Sequence, residues 1–294
     1  MTTSEPKQRL PKWLKVTWVG GENYLSMRKL LRTAELHTVC EEASCPNIGE
    51  CWERKSATFM ILGDVCTRAC RYCDVTSGKP QALDLQEPLR LARTVRTLNL
   101  NYCVITSVNR DDLADGGAYI FAECIRQIHQ KTPDCKVEIL TPDFAGNLQS
   151  LHSVLDAHPA VFNHNIESVR SVFKKVRGKG DYDLSLSILQ EAQQYAPHIP
   201  TKSGIMVGLG ERISELHETL NDLRNVGVKL LTIGQYLRPS KQHIQMDRFY
   251  TPSEFNDLKQ YAYNLGFLHV AAGPLVRSSY HADEQHSQVV KNLV

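Results

Sequence analysis

Two hydrophobic periods alternate along most of this chain: short unbroken apolar runs, and longer stretches where apolar residues recur every three or four positions. The first short run, at 58–62, reads Thr58-Phe-Met-Ile-Leu62 and stops at Gly63, as a buried strand does. Similar runs follow at 102–106, 137–140, 161–165, 203–207 and 230–234, with a strand-like piece at 268–271. Helical spacing fills the gaps, at 88–98, 118–129, 148–155, 169–176, 184–195, 213–226 and 252–265. That is six strand–helix units and a terminal strand. Regular alternation predicts parallel strands joined by right-handed crossovers, and apolar runs suit strands covered on both faces. An open doubly wound sheet and a full or partial barrel both satisfy the pattern so far.

Polar residues favour the barrel, because they gather just after the strands. They occur at 66–73, at Thr106-Ser-Val-Asn-Arg-Asp-Asp112, at Thr141-Pro-Asp143, at Asn163-His-Asn165 with Glu167, at Gly208-Leu-Gly-Glu211 and at Gln235-Tyr-Leu-Arg-Pro239. A barrel brings all these strand ends to one face, whereas an open sheet gathers only those near its switch point. The expected fold is α/β, a partial parallel (β/α)6 barrel of the TIM type. Upstream, a helix is expected from Ser26, with Ser26 as N-cap and Met27, Leu30, Leu31 and Ala34 at helical spacing. Residues 1–25 read as an arm broken by Pro6, Pro11 and Gly20-Gly21. Its Lys12-Trp13-Leu14-Lys15 and Trp18 either cover the main body or trail from it.

Composition narrows the function by exclusion. A net charge of +2 gives no electrostatic footprint for nucleic acid. No run of 18 apolar residues predicts a membrane span, and the first residues lack a signal peptide's apolar centre. The expected compartment is the reducing cytoplasm, where nine cysteines read as metal ligands or free thiols rather than disulfides.

Six of those nine cysteines lie between Cys40 and Cys73, in two triplets flanking the 58–62 strand. Cys40, Cys45 and Cys51 follow a C-x4-C-x5-C spacing in sequence that Pro46, Asn47 and Gly49 mark as irregular. Cys66, Cys70 and Cys73 follow C-x3-C-x2-C. Iron–sulfur clusters of the ferredoxin type use four cysteines, so three thiolates leave one iron open. An open metal position can take a small chelating ligand. Structural zinc prefers four ligands, commonly in C-x2-C pairs, which neither triplet offers. Cys103 and Cys124 read as core residues, and Cys135 as incidental.

The Cys66 motif, with aromatic Tyr72 before its last cysteine, resembles the radical S-adenosylmethionine superfamily signature. The double triplet and a distal Arg277-Ser-Ser-Tyr280 together resemble the lipoyl synthase family within it. So do Glu42-Ala-Ser-Cys-Pro-Asn-Ile-Gly-Glu-Cys-Trp52, Phe162-Asn-His-Asn-Ile-Glu167 and Ala272-Gly-Pro-Leu-Val-Arg277, and the likeness runs from about Trp13 to His281. The resemblance implies insertion of two sulfurs, at carbons 6 and 8 of an octanoyl chain on a carrier-protein lysine. Its implied cofactors are S-adenosylmethionine and two 4Fe-4S clusters. Cys66, Cys70 and Cys73 would hold the cluster that cleaves S-adenosylmethionine to a deoxyadenosyl radical. Cys40, Cys45 and Cys51 would hold an auxiliary cluster, spent as sulfur donor and closed by Ser279, with Ser278 as the alternative. Three parts follow: 1–55 as an N-terminal extension carrying the auxiliary triplet, 56–272 as the barrel, and 273–294 as a C-terminal extension. The extensions are expected to cover the barrel's open face.

For S-adenosylmethionine the expected contacts are Tyr72, Ser107, Asn165, Glu167 and Arg177. Each has a plainer alternative: Asn165 as a loop cap, Glu167 and Arg177 as solvated helix charges, and ordinary loop hydroxyls for Ser278 and Ser279. His164 is expected to be a satisfied barrel histidine. The implied partners are octanoylated carrier domains of 2-oxoacid dehydrogenase complexes and the glycine cleavage H protein, a ferredoxin- or flavodoxin-type reductant, and iron–sulfur carriers. No nucleic acid or membrane is expected, and the chain reads as a monomer. The competing functions are a biotin-synthase-like sulfur inserter, a non-catalytic iron–sulfur electron carrier and a zinc-binding module.

Overall fold

The computed structural model describes residues 10–16 and 20–293, with side chains described as far as residue 289. The first nine residues of the expected arm, and Trp18, lie outside the described residues. Within the arm's described part, Leu14 is buried and Trp13 is exposed.

The chain opens with helices α1 (Glu22–Thr33), α2 (Val39–Glu42) and α3 (Ile48–Glu53), with the two-residue strand β1 (His37–Thr38) between α1 and α2. Strand–helix alternation begins at β2 (Thr58–Ile61) and α4 (Glu87–Thr97), then β3 (Tyr102–Ser107) and α5 (Ala118–Lys131). It continues through β4 (Lys136–Leu140), α6 (Leu148–Leu155), β5 (Val161–Asn163), α7 (Arg170–Val176) and α8 (Tyr182–Tyr195). Then come β6 (Thr201–Val207), α9 (Ile213–Asn225), β7 (Leu230–Gln235), α10 (Pro252–Asn264), β8 (His269–Gly273) and α11 (Ala282–Leu293).

Among the described residues the eight strands form one sheet in strictly sequential order, β1 to β8. From β2 to β8 every neighbouring pair is parallel, and β1 adds an antiparallel edge beside β2. A doubly wound sheet reverses its order at a switch point, and this one does not. Its two edges are not joined by hydrogen bonds, so the barrel is partial. The six expected strands and the expected terminal strand, β8, are all present, and β1 is added at the antiparallel edge.

Every residue of β2 and of β7 is buried, although each lies only one strand in from an edge of the sheet. Curvature shows in side chains that meet across an intervening strand. Lys202 of β6 and Glu138 of β4, each fully buried, pair at 2.8 Å. Tyr102 and Asn163 donate to the same carboxylate, at 2.8 and 3.5 Å. Such a pair is isolated from water on the concave face, where its hydrogen bonds offset the cost of desolvation.

Two expectations about the N-terminal segment need correction. The first helix starts at Glu22, and Ser26 lies inside it rather than capping it. Its cap comes from another segment: the Glu53 carboxylate accepts from the backbone N–H of Gly21 at 2.9 Å and of Tyr24 at 3.2 Å. The first cysteine triplet is not irregular either, because Cys40 lies in α2 and Cys51 in α3. The Thr38 hydroxyl caps α2 by accepting from the Glu41 N–H at 3.3 Å.

Candidate functional site

The loop after β2 carries Cys66, Cys70 and Cys73, and it is fastened at several points. The Cys66 N–H donates to the Thr76 carbonyl at 2.8 Å and the Gly78 N–H to the Cys66 carbonyl at 2.9 Å. The Cys66 sulfur accepts from the N–H groups of Arg68 and Asn109, at 3.4 and 3.3 Å. Deeper anchorage comes from Arg68, whose side chain is buried and donates to two carboxylates from different βα loops. It meets Asp143 at 2.6 and 2.7 Å, and Asp111 at 2.7 to 3.1 Å. Burial would raise the Asp143 carboxyl, yet the adjoining guanidinium holds it down at about 2. The same two carboxylates lift Arg68 above its ordinary range despite its burial.

One cavity opens onto this loop. It is lined by Cys66, Cys70 and Cys73 together with all five expected cofactor contacts: Tyr72, Ser107, Asn165, Glu167 and Arg177. Arg177 is buried, donates to the Asn165 carbonyl at 3.2 Å, and lies near Tyr72, Glu167 and Cys70, which raise it against the effect of burial. Burial raises the Glu167 carboxyl while Arg177 opposes the rise. Glu167 adopts a φ of 69°, in the left-handed region, and is held there by backbone bonds to β6 on both sides. Its N–H donates to the Gly204 carbonyl at 3.0 Å, and its carbonyl accepts from the Met206 N–H at 2.9 Å. Left-handed backbone at a non-glycine residue costs energy and persists where the surroundings impose it, a feature of ligand-binding segments.

The cavity wall also carries unpaired polar atoms. Ser107 Oγ, Asn109 Oδ1, Thr141 Oγ1, His164 Nε2 and Asn165 Oδ1 are buried with no hydrogen-bond partner among the described residues, and all five residues line this space. Buried polar groups are nearly always satisfied, so five together mark a place for a polar ligand. Of these, Asn109, Thr141 and His164 had not been expected as contacts. All follow strand ends in the polar segments read above, which was the available signal.

His164 is only half satisfied. Its Nδ1 pairs with the Thr141 carbonyl at 2.9 Å, while Nε2 is left without a partner among the described residues, and the residue lines the cavity. Burial, reinforced by Arg177, pushes its pKa down to about 4. The fold therefore favours neutral imidazole. The resulting stability is present above about pH 6.5 and lost as pH falls toward 4. We expect a loss of about 2 kcal/mol between pH 7 and 5. Denaturant unfolding at the two pH values should show this loss in the parent and not in His164→Gln; equal losses in both would exclude the assignment.

The first triplet, Cys40, Cys45 and Cys51, precedes β2 in the chain. Burial pushes the Cys40 thiol up to about 12, with Cys45 nearby adding to the rise. Cys51 is likewise raised to about 12 by burial and by Cys40 and Cys45, so the three thiols are near neighbours. Burial also raises Cys45, opposed by the Asn47 N–H and the Arg277 cation. Deprotonating such thiols together requires positive charge among them, which is what a bound metal cluster contributes.

Residues 274–281 bring the distal Arg-Ser-Ser-Tyr segment to both sites. The Ser279 Oγ accepts from the Thr58 hydroxyl at 2.6 Å, and the Thr58 N–H in turn favours the Cys40 thiolate. Ser279 is thereby beside the first triplet although 221 residues separate it from Thr58. The Asn47 amide donates to the Leu275 carbonyl at 2.7 Å, and the Tyr280 hydroxyl donates to Glu50 at 3.1 Å. Ser278 points the other way and accepts from Asn165 Nδ2 at 2.7 Å. Cys103, Cys124 and Cys135 are buried apart from both triplets.

A cysteine loop after the first parallel strand of a partial barrel, opening on a polar cavity, defines a class, and the sequence profile of the radical SAM superfamily matches residues 60–223. Solved structures with the same fold include methylornithine synthase (TM-score 0.54, 14% identity, 80% of each chain covered). A maturase of the FeFe-hydrogenase is another, with a TM-score of 0.56, 12% identity, and 79% of this chain and 62% of that one covered. The chain belongs to the lipoyl synthase family of that superfamily. Residues 1–45 match the N-terminal domain of lipoyl synthase. The lipoyl synthase of Shouchella clausii strain KSM-K16 is 53% identical over 98% of this chain and 94% of its own length. That of Symbiobacterium thermophilum is 54% identical over 96% and 88%. The protein is thus a radical SAM sulfur-inserting enzyme that uses S-adenosylmethionine and 4Fe-4S clusters and acts on lipoyl-carrier protein substrates.

Proposed function

We propose that Cys66, Cys70 and Cys73 hold the cluster that binds S-adenosylmethionine, and that Cys40, Cys45, Cys51 and Ser279 hold the auxiliary cluster that supplies sulfur. The observation that carries this reading is the single cavity in which three cysteines and five expected contacts meet unpaired polar atoms. When bound, these groups supply a hydrogen-abstracting radical and transferable sulfide, neither of which side chains can provide. Arg177 offers a planar double donor to the cofactor's carboxylate. Asn165 and Glu167 accept from its hydroxyl or amino groups, Ser107 adds a hydroxyl, and Tyr72 lies against the cluster loop. Thr58, shared by Ser279 and Cys40, holds the closing serine at the triplet. The two cysteine segments flank β2 in the chain, which suits a reaction in which a substrate carbon activated at one site must reach sulfur at the other.

The division into 1–55, 56–272 and 273–294 assigns the auxiliary triplet, the barrel and the closing segment to separate parts. The substrate is an octanoyl-lysine, modified at carbons 6 and 8, on a carrier domain of a 2-oxoacid dehydrogenase complex or on the glycine cleavage H protein. A ferredoxin- or flavodoxin-type reductant and iron–sulfur carriers serve the enzyme, which acts as a cytoplasmic monomer. No helix among the described residues is long and apolar enough to cross a membrane. A non-catalytic electron carrier would call for fully cysteine-ligated clusters, and neither triplet has a fourth cysteine.

Anaerobic reconstitution should load about eight irons per chain, two 4Fe-4S clusters. Given S-adenosylmethionine, reductant and an octanoyl-lysyl peptide, the protein should release 5′-deoxyadenosine and form a dithiolated peptide. A zinc-only protein, or loaded clusters without either product, would sink the assignment.

A further inference from the structure

The segment after β8 passes along the inner face of the sheet, where two glycines make room for it. Lys202 faces inward, so the two-residue period of β6 turns Gly204 inward as well. Met206, two residues further on, is in register with Gly234 of β7. A Cβ on Gly204 would lie 2.7 Å from Asn165 Oδ1 and 3.0 Å from Ser278 Oγ. A Cβ on Gly234 would collide with the Val276 carbonyl. Both contacts are closer than side chains tolerate, so the bare backbone at these positions forms the seat of residues 276–278.

Seated there, Ser278 meets an amide that has its own vacancy. Asn165 Nδ2 donates to Ser278 Oγ at 2.7 Å and to Glu167 Oε1 at 3.3 Å, which uses both of its hydrogens. The remaining polar atom, Oδ1, is buried without a partner, and the residue lines the cavity. The orientation of an asparagine amide follows from its partners. With Ser278 and Glu167 on the nitrogen, the oxygen is the atom left for a ligand.

We propose that Ser278 is a positioning residue for S-adenosylmethionine: it fixes the Asn165 amide so that Oδ1 accepts from a hydroxyl or ammonium group of the cofactor. This rests on the reading of Asn165 as a cofactor contact. The two adjacent serines then have separate duties, Ser279 toward the auxiliary triplet and Ser278 toward the cofactor. The segment that closes one site completes the other.

The test is calorimetric titration of anaerobically reconstituted protein with S-adenosylmethionine. Loss of one neutral hydrogen bond predicts about fivefold weaker binding by Ser278→Ala, with Ser278→Thr restoring the parent's affinity. Gly234→Ala, outside the cavity, should weaken binding in the same direction by unseating the segment. Asn165→Ala should weaken binding by itself, and adding Ser278→Ala to it should change nothing further. Parental affinity in Ser278→Ala, or a full additive effect in the double variant, would overturn the proposal while leaving Asn165 as a contact. Parental affinity in Asn165→Ala would overturn the reading of Asn165, and this proposal with it.

Discussion

Cys45→Ala is expected to abolish sulfur insertion while the protein still converts S-adenosylmethionine to 5′-deoxyadenosine. The separation follows from where the thiols lie. Cys45 is coupled to Cys40, Cys51 and Arg277. None of these residues lines the cavity that holds Cys66, Cys70 and Cys73. Removing one of the three thiols leaves the first triplet with two, too few for a cluster closed by a single serine. The second loop keeps its own anchors in Arg68, Asn109 and the Thr76 and Gly78 backbone bonds. Iron content should fall by about half, in line with loss of one of two 4Fe-4S clusters. Product analysis by mass spectrometry alongside deoxyadenosine counting decides the matter. Retained sulfur insertion with lost cofactor cleavage would reverse the roles given to the two triplets.

The second large effect concerns stability. Asp143→Ala should destabilise the fold by about 3–5 kcal/mol, the range for removing one partner of a buried ion pair. The side chains of Arg68 and Asp143 are 5% and 2% exposed. After the change the guanidinium would keep only Asp111, whose side chain is 31% exposed and so partly screened by water. Asp111→Ala should therefore cost less. Because Arg68 belongs to the cysteine loop, the same variant should also load less iron at that loop. Denaturant midpoints compare the two variants. A loss no greater than 1 kcal/mol in Asp143→Ala would show that the pair does not anchor the loop.

Much of this was legible before any coordinates. The parallel strands announced themselves because burial on both faces makes them uniformly apolar, and the helices because one face is not. The polar residues after each strand led to the cavity, since parallel order brings their ends together. What stayed hidden was set by contacts between distant segments. A helix of four residues such as α2 shows no period, and α1 draws its cap from Glu53, some thirty residues on. Ser26 had the chemistry of a cap but not the position. Arg68 was invisible as an anchor because its partners, Asp111 and Asp143, lie on two later loops. His164 was read as satisfied, and one of its nitrogens is not. Its sequence neighbours could not reveal which atom would be left without a partner.

The hydrogen bond from Thr58 to Ser279 has a consequence for the order of biosynthesis. Cys40, Cys45 and Cys51 leave the ribosome early, while Ser279, the residue proposed to close their site, is made 221 positions after Thr58. At about 5–20 residues per second, that interval is roughly ten to forty seconds. On the proposed assignment of Ser279, loading of this site is expected to follow completion of the chain.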